Sequence, residues 1–216
     1  MKKCIGVFDS GVGGQSVANA ISKALPEYEV VCVDDKAHLP YGDKTPEELR
    51  SLTLPILNKL SKTCDVIVIA CNTVTTNIVE DLRASLPVPL IGMEPMVKPA
   101  SEQTKSGVIA VCATPSTLKS PRYDWLKETY AQNVKIVEPD CSDWTRMIES
   151  NQIDKEHIRE RIETALDQGA DVIVLGCTHY HWIEELIKDV AGERAQVLQP
   201  EQPVIEQLKQ VLGRLA

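Results

Sequence analysis

The 216-residue chain is 43% hydrophobic and 25% charged, the proportions of a globular protein long enough to bury a substantial core. Its net charge of −8 leaves no basic stripe for nucleic acid and no attraction to an anionic membrane surface. No stretch approaches the roughly 18 apolar residues of a spanning helix, and the apolar run after Lys2 and Lys3 stops at Asp9, too soon for a secretory leader. A cytoplasmic protein is expected.

In chain order, CIGVFD (4–9) reads as a first strand, followed by the turn Ser10-Gly11-Val12-Gly13-Gly14 and an amphipathic helix carrying Val17, Ala20, Ile21 and Ala24. EVVCVD (29–34) is a second strand. Thr45-Pro46-Glu47-Glu48 is a capping box with proline at the first helical position. It opens a helix with Leu49, Leu52, Ile56 and Leu60 on one stripe, which Pro55 should kink. DVIVIA (65–70), a helix bearing Ile78, Val79, Leu82 and Leu86, and VPLIG (88–92) follow. Further strands are expected at GVIAVC (107–112), VKIVE (134–138), DVIVLG (171–176) and AQVLQ (195–199). Asp154 can cap a helix running through Gln168, with Ile158, Ile162, Ala165 and Leu166 inward, and a last helix is expected near 201–215. Unbroken Val/Ile runs suit parallel strands covered by helices on both faces.

Two stretches are nearly alike: CDVIVIACNT (64–73) and ADVIVLGCTH (170–179), which set Cys71 and Cys177 106 residues apart. IGVFDSGVGG (5–14) and VIAVCATPST (108–117) repeat in the same sense, with Ser10 and Thr114 104 residues apart. The repeat implies an α/β fold of two similar doubly wound parallel-sheet domains in a pseudo-twofold relation. Residues 1–96 plus 203–216 would form the first domain and 97–202 the second, with the boundary in Met93-Glu94-Pro95-Met96.

Seven cysteines, at 4, 32, 64, 71, 112, 141 and 177, show neither a Cys-x-x-Cys pair nor paired zinc spacing, so neither a disulfide scaffold nor a metal site is expected. The default for each is a small buried hydrophobe. Cys71 and Cys177 stand apart because both end a strand where open α/β sheets bind ligands, and each precedes a helix whose N-terminus favours a thiolate. A single cysteine there is usually structural. Two at matching positions in hydroxyl-rich turns suggest thiols on opposite faces of one ligand, able to invert a stereocentre. Gly11-Val12-Gly13-Gly14 resembles a phosphate loop but lacks the last glycine of a dinucleotide fingerprint and any Walker lysine. It reads as a tight turn offering amides to a substrate carboxylate. His38 and His157 read as structural or solvated, and DKEHIRER (154–161) as an exposed helix face.

FDSGVGG (8–14), D-x-A-x-x-PYG (35–42), ACNT (70–73), IG-x-EP (91–95), AT-x-x-T (113–117) and LGCTHY (175–180) together resemble the glutamate racemases, in order and over nearly the whole chain. The resemblance implies a cofactor-independent isomerase of two α/β domains, with the active site in the cleft between them, that interconverts L- and D-glutamate for peptidoglycan. It makes Cys71 the base for D-glutamate and Cys177 the base for L-glutamate, assisted by Asp9, His179 and Glu149. Ser10, Pro40, Tyr41, Gly42, Asn72, Thr73, Thr114, Thr117 and Thr178 would hold the substrate, and a homodimer is the protein partner it suggests. His181 stands where a proline usually follows, and Val74-Thr75-Thr76 adds bulk and a hydroxyl beside the site. LQPEQPV (198–204) replaces an acidic step, and the chain ends early relative to the pattern. These departures bear on substrate choice. The rivals are an aspartate or other amino or dicarboxylic acid racemase of the same superfamily, and a non-catalytic amino-acid binder.

Overall fold

The computed structural model describes residues 3–215; Met1, Lys2 and Ala216, which the sequence reading placed at the domain ends, lie outside the described residues. The chain divides into two compact units, Met1–Glu94 with Pro200–Ala216, and Pro95–Gln199. Among the described residues the strands form two four-stranded sheets, one in each unit.

The first unit runs β1 (Cys4–Asp9), α1 (Gly13–Ala24), β2 (Glu29–Asp34), α2 (Pro46–Leu60), β3 (Val66–Ile69), α3 (Asn72–Ser85) and β4 (Leu90–Gly92). Its sheet order is β2-β1-β3-β4, all parallel, with Ile5 opposite Val66 and Phe8 opposite Ile69 in the central pair. Phe8, Leu49, Leu57, Ile67, Ile69 and Leu82 pack on one face. The other face buries Ile5, Val7, Val17, Ile21, Val66 and Val68 together with Val204, Ile205 and Leu208 of α10 (Glu201–Arg214). Continuous Val/Ile runs are therefore read correctly at β1 and β3, which are buried throughout. β2 is different: as an edge strand it is exposed at both ends and only half-buried between them.

The Thr45 capping box forms as expected: Glu48 N–H donates to Thr45 Oγ1 at 3.3 Å and Thr45 N–H to Glu48 Oε2 at 2.8 Å. α2 then continues through Pro55 as one helix. Cys4 and Cys64, at the start of the two central strands, face each other with sulfurs 2.8 Å apart, and burial together with the Cys64 thiol pushes Cys4 up to about 12.

The second unit repeats the order with α4 (Val97–Gln103), β5 (Val108–Ala113), α5 (Pro115–Leu118), α6 (Pro121–Tyr130), β6 (Lys135–Val137), α7 (Trp144–Glu149), α8 (Lys155–Asp167), β7 (Val172–Gly176), α9 (Glu184–Ala191) and β8 (Gln196–Leu198). Its sheet order is β6-β5-β7-β8, again parallel. β5 and β7 thus occupy the places of β1 and β3. Asp154 caps α8 through bonds from the amides of Glu156 and His157. Among the described residues no helix is long and apolar enough to cross a membrane.

Candidate active site

In each sheet the first central strand passes to a neighbour on one side and the second to a neighbour on the other. The connections therefore diverge at the strands' carboxyl ends, where doubly wound sheets open a crevice for ligands. In the first unit Ser10 follows β1 and Cys71 follows β3, so both lie at that point. In the second unit Thr114 follows β5 and Cys177 follows β7.

Cys71 is 4% exposed, and its thiol reaches the Ser10 hydroxyl at 3.5 Å. It is the N-cap of α3, whose first two residues, Asn72 and Thr73, are buried. Asn72 is 2% exposed, and neither its Nδ2 nor its Oδ1 has a hydrogen-bond partner among the described residues. A buried carboxamide left unsatisfied costs about 1–3 kcal/mol. Tyr41 is also buried; its hydroxyl donates to Asp35 Oδ2 at 2.6 Å. Burial, the Asp35 bond and charge, and the neighbouring Cys71 all push the phenol upward. Pro40 beside it is exposed and Gly42 half-buried, while His38 shares the Asp35 carboxylate at 2.7 Å.

The glycine turn departs from expectation. The amides of Gly11 and Gly14 both donate to Asp9 Oδ2, at 3.1 and 3.0 Å, so they serve the buried Asp9 carboxylate and are not offered to a substrate. A Cβ on Gly14 would stand 2.5 Å from Asp9 Cβ, which is why glycine is required there. The hydroxyls of Thr75 and Thr76 are both satisfied by backbone carbonyls. They bond the carbonyls of Ile69 at 3.3 Å and Asn72 at 3.0 Å, and Thr75 Cγ2 fills the space over Gly92.

Cys177 is 8% exposed and ends β7 at the start of a 3-10 segment, Thr178–Ile183, in which Thr178 and His179 are buried. His179 Nδ1 lies 3.8 Å from the Cys177 sulfur, and its Nε2 lies 2.5 Å from Glu149 Oε1. The imidazole side chain is 2% exposed and the carboxylate 21%, so the pair is shielded from water along most of its length. Thiol, imidazole and carboxylate form a chain along which a proton can be held or passed. Thr114 and Thr117 join each other, with Thr114 Oγ1 donating to Thr117 Oγ1 at 3.0 Å.

A hydroxyl beside Cys177 belongs to Thr145, at 4.0 Å, a residue the sequence reading passed over. Its only signal was its place four residues before Glu149, on the same face of one helix. Behind the site, Cys141 is pushed well above the usual thiol range by burial and the adjoining Cys112. Among the described residues no group of three or more His, Cys, Asp or Glu is arranged to hold a metal ion.

Residues 12–208 match the family model for Asp/Glu/Hydantoin racemase, and the chain belongs to that family. It is an isomerase. A glutamate racemase of Methylococcus capsulatus is 41% identical over 214 residues, covering 96% of this chain and 79% of the relative. The glutamate racemase of Aquifex pyrophilus, a solved structure, is similar at 31% identity with a TM-score of 0.78, covering 96% of this chain and 83% of that one. Escherichia coli glutamate racemase, solved with L-glutamate and the activator UDP-MurNAc-ala, superposes with a TM-score of 0.90 at 25% identity, over 99% of this chain and 83% of that one.

Proposed function

We propose that this protein is a glutamate racemase that uses two cysteine bases and no cofactor, supplying D-glutamate for peptidoglycan from the cytoplasm. The observation that carries the reading is the equivalence of Cys71 and Cys177: two sheets of one strand order each set a thiol at the carboxyl end of the same central strand. The E. coli structure similar to this chain holds L-glutamate, and the curated relatives similar to it are glutamate racemases.

In the proposed reaction the Cys177 thiolate takes the α-proton of L-glutamate while the Cys71 thiol returns a proton to the opposite face. The roles exchange for D-glutamate. His179 receives the Cys177 proton, and Glu149 fixes the imidazole and favours its charged form. Asp9, held rigid by the glycine amides, assists on the Cys71 side. The residues assigned to the substrate carboxylates are Asn72, Ser10, Thr73, Tyr41, Gly42, Thr114, Thr117 and Thr178. Pro40 shapes the turn that presents Tyr41. Such neutral donors stabilise developing negative charge best where water is kept out.

Incubation with L-glutamate in deuterated water tests this directly. Loss of optical rotation together with α-deuterium in both enantiomers is expected. Binding without exchange would make the protein a binder, and exchange confined to aspartate would assign it to the related racemases.

A further inference from the structure

We infer that Thr145 is a positioning residue for the Cys177 sulfur, its hydroxyl donating to the thiolate form. The inference rests on reading Cys177 as a catalytic base.

The fold repeat places Thr114 where Ser10 stands in the first unit, and Ser10 is the hydroxyl that touches Cys71. Thr114 caps α5 by accepting from the Thr117 amide and donates to the Thr117 hydroxyl. α7 supplies a further hydroxyl to the second unit's site. Thr145 Oγ1 lies 4.0 Å from Cys177 Sγ, on the helix whose Glu149 bonds His179. The neighbouring Trp144 is fully buried edge-on against Tyr180, with ring centroids 5.1 Å apart, which anchors that end of the helix.

Tyr180, fully buried against Trp144, gives its own proton to the Cys141 carbonyl at 3.1 Å. The Thr145 hydroxyl carries one proton that can rotate about its C–O bond. A thiolate is a stronger acceptor than a thiol because it is charged, so the hydroxyl turns to the sulfur when the sulfur is ionised. No bond to Thr145 is made or broken. The electron pair of the substrate C–H bond stays on carbon and the proton passes to sulfur.

Thr145→Val keeps the shape and removes the hydroxyl, whereas Thr145→Ser keeps the hydroxyl. Iodoacetamide labelling of the ligand-free full chain, read peptide by peptide from about pH 6 to about pH 9, reports the thiolate. In Thr145→Val the Cys177 profile should move to higher pH, with labelling near neutrality several-fold slower. Thr145→Ser should match the parent, and the Cys71 peptide should label alike in all three. With α-deuterated substrate, the isotope effect in Thr145→Val should grow for L-glutamate and shrink for D-glutamate. Thr145→Ala is the second variant should valine disturb folding, and it should behave as Thr145→Val does. An unchanged Cys177 profile in a folded valine or alanine variant overturns the inference. A shifted profile in a protein that exchanges no glutamate leaves the hydroxyl–sulfur coupling standing and defeats the glutamate reading alone.

Discussion

Glu149 Oε1 meets His179 Nε2 at 2.5 Å, although 30 residues separate them in sequence. The contact leaves Nδ1 of the same ring facing the Cys177 sulfur. Replacing Glu149 by Gln keeps the size and removes the charge that favours the imidazolium. Because general acid–base assistance is worth about 10²–10⁴-fold, kcat should fall by roughly 10²-fold. The limb of the pH profile owed to His179 should be displaced, and the melting midpoint should hardly change. Glu149→Asp should recover part of the rate. An unaltered pH profile would remove Glu149 from the proton chain.

The two sulfurs should be separately indispensable. Cys71→Ser and Cys177→Ser each substitute a far weaker acid, so each should lose at least about 10²-fold in racemisation, within the range for proton-transfer groups. Circular dichroism should confirm that both variants fold. Near-normal turnover in either one rules out the two-base scheme.

Gly14 should tolerate no side chain. An alanine Cβ would come within 2.5 Å of Asp9 Cβ, and both sides of that contact are backbone-anchored. Overpacking of this kind costs about 1–3 kcal/mol, so the melting midpoint should drop by several degrees. Activity should fall with it as Asp9 is displaced. Gly213, near the end of α10, is the control: nothing lies within 4 Å of its added Cβ, and alanine there should be neutral or mildly stabilising. Equal losses at the two positions would refute the steric account.

Asp171 should make stability depend on acidity. Burial pushes its carboxyl up, but bonds from the Thr104 hydroxyl and the Ser106 and Lys105 amides outweigh this, and its pKa is lowered. A carboxyl lowered on folding contributes stability above its unfolded value, and that contribution is lost as pH falls through the folded one. Asp171→Asn should therefore cost about 1–3 kcal/mol at neutral pH, as expected for bonds to a charged group. The gap to the parent should close as the pH drops below about 4. Denaturant melts at several pH values would show it, and a gap constant with pH would contradict it.

The chain's local grammar was readable without coordinates. Thr45 and Asp154 act within three residues of themselves, so their caps follow from residue type and spacing. The Val/Ile runs of β1, β3, β5 and β7 mark central strands because a strand covered on both faces has no reason to alternate. β2 has a similar run, yet it lies at an edge, and strand order is settled by long-range pairing that no single segment encodes. Resemblance carried the site list further than periodicity could. Even so, it left Thr145 unseen, and the motif reading of the glycine turn offered the Gly11 and Gly14 amides to a substrate when they serve Asp9.

By itself the sequence determined where the strands lie and where α1, α2, α3, α8 and α10 run, that two like halves exist, and that a cysteine closes the same strand in each. Backbone preference and the burial of neighbouring apolar side chains act over a few residues, and those are all present in the string. Only the tertiary structure decided the partners of these polar groups: His179 with Glu149, Asp9 with its glycine amides, Thr75 over Gly92, and Thr145 beside Cys177. Such choices turn on ångström-scale separations between residues far apart in the chain, and these exist only once the sheets have assembled and each buried donor has found its acceptor.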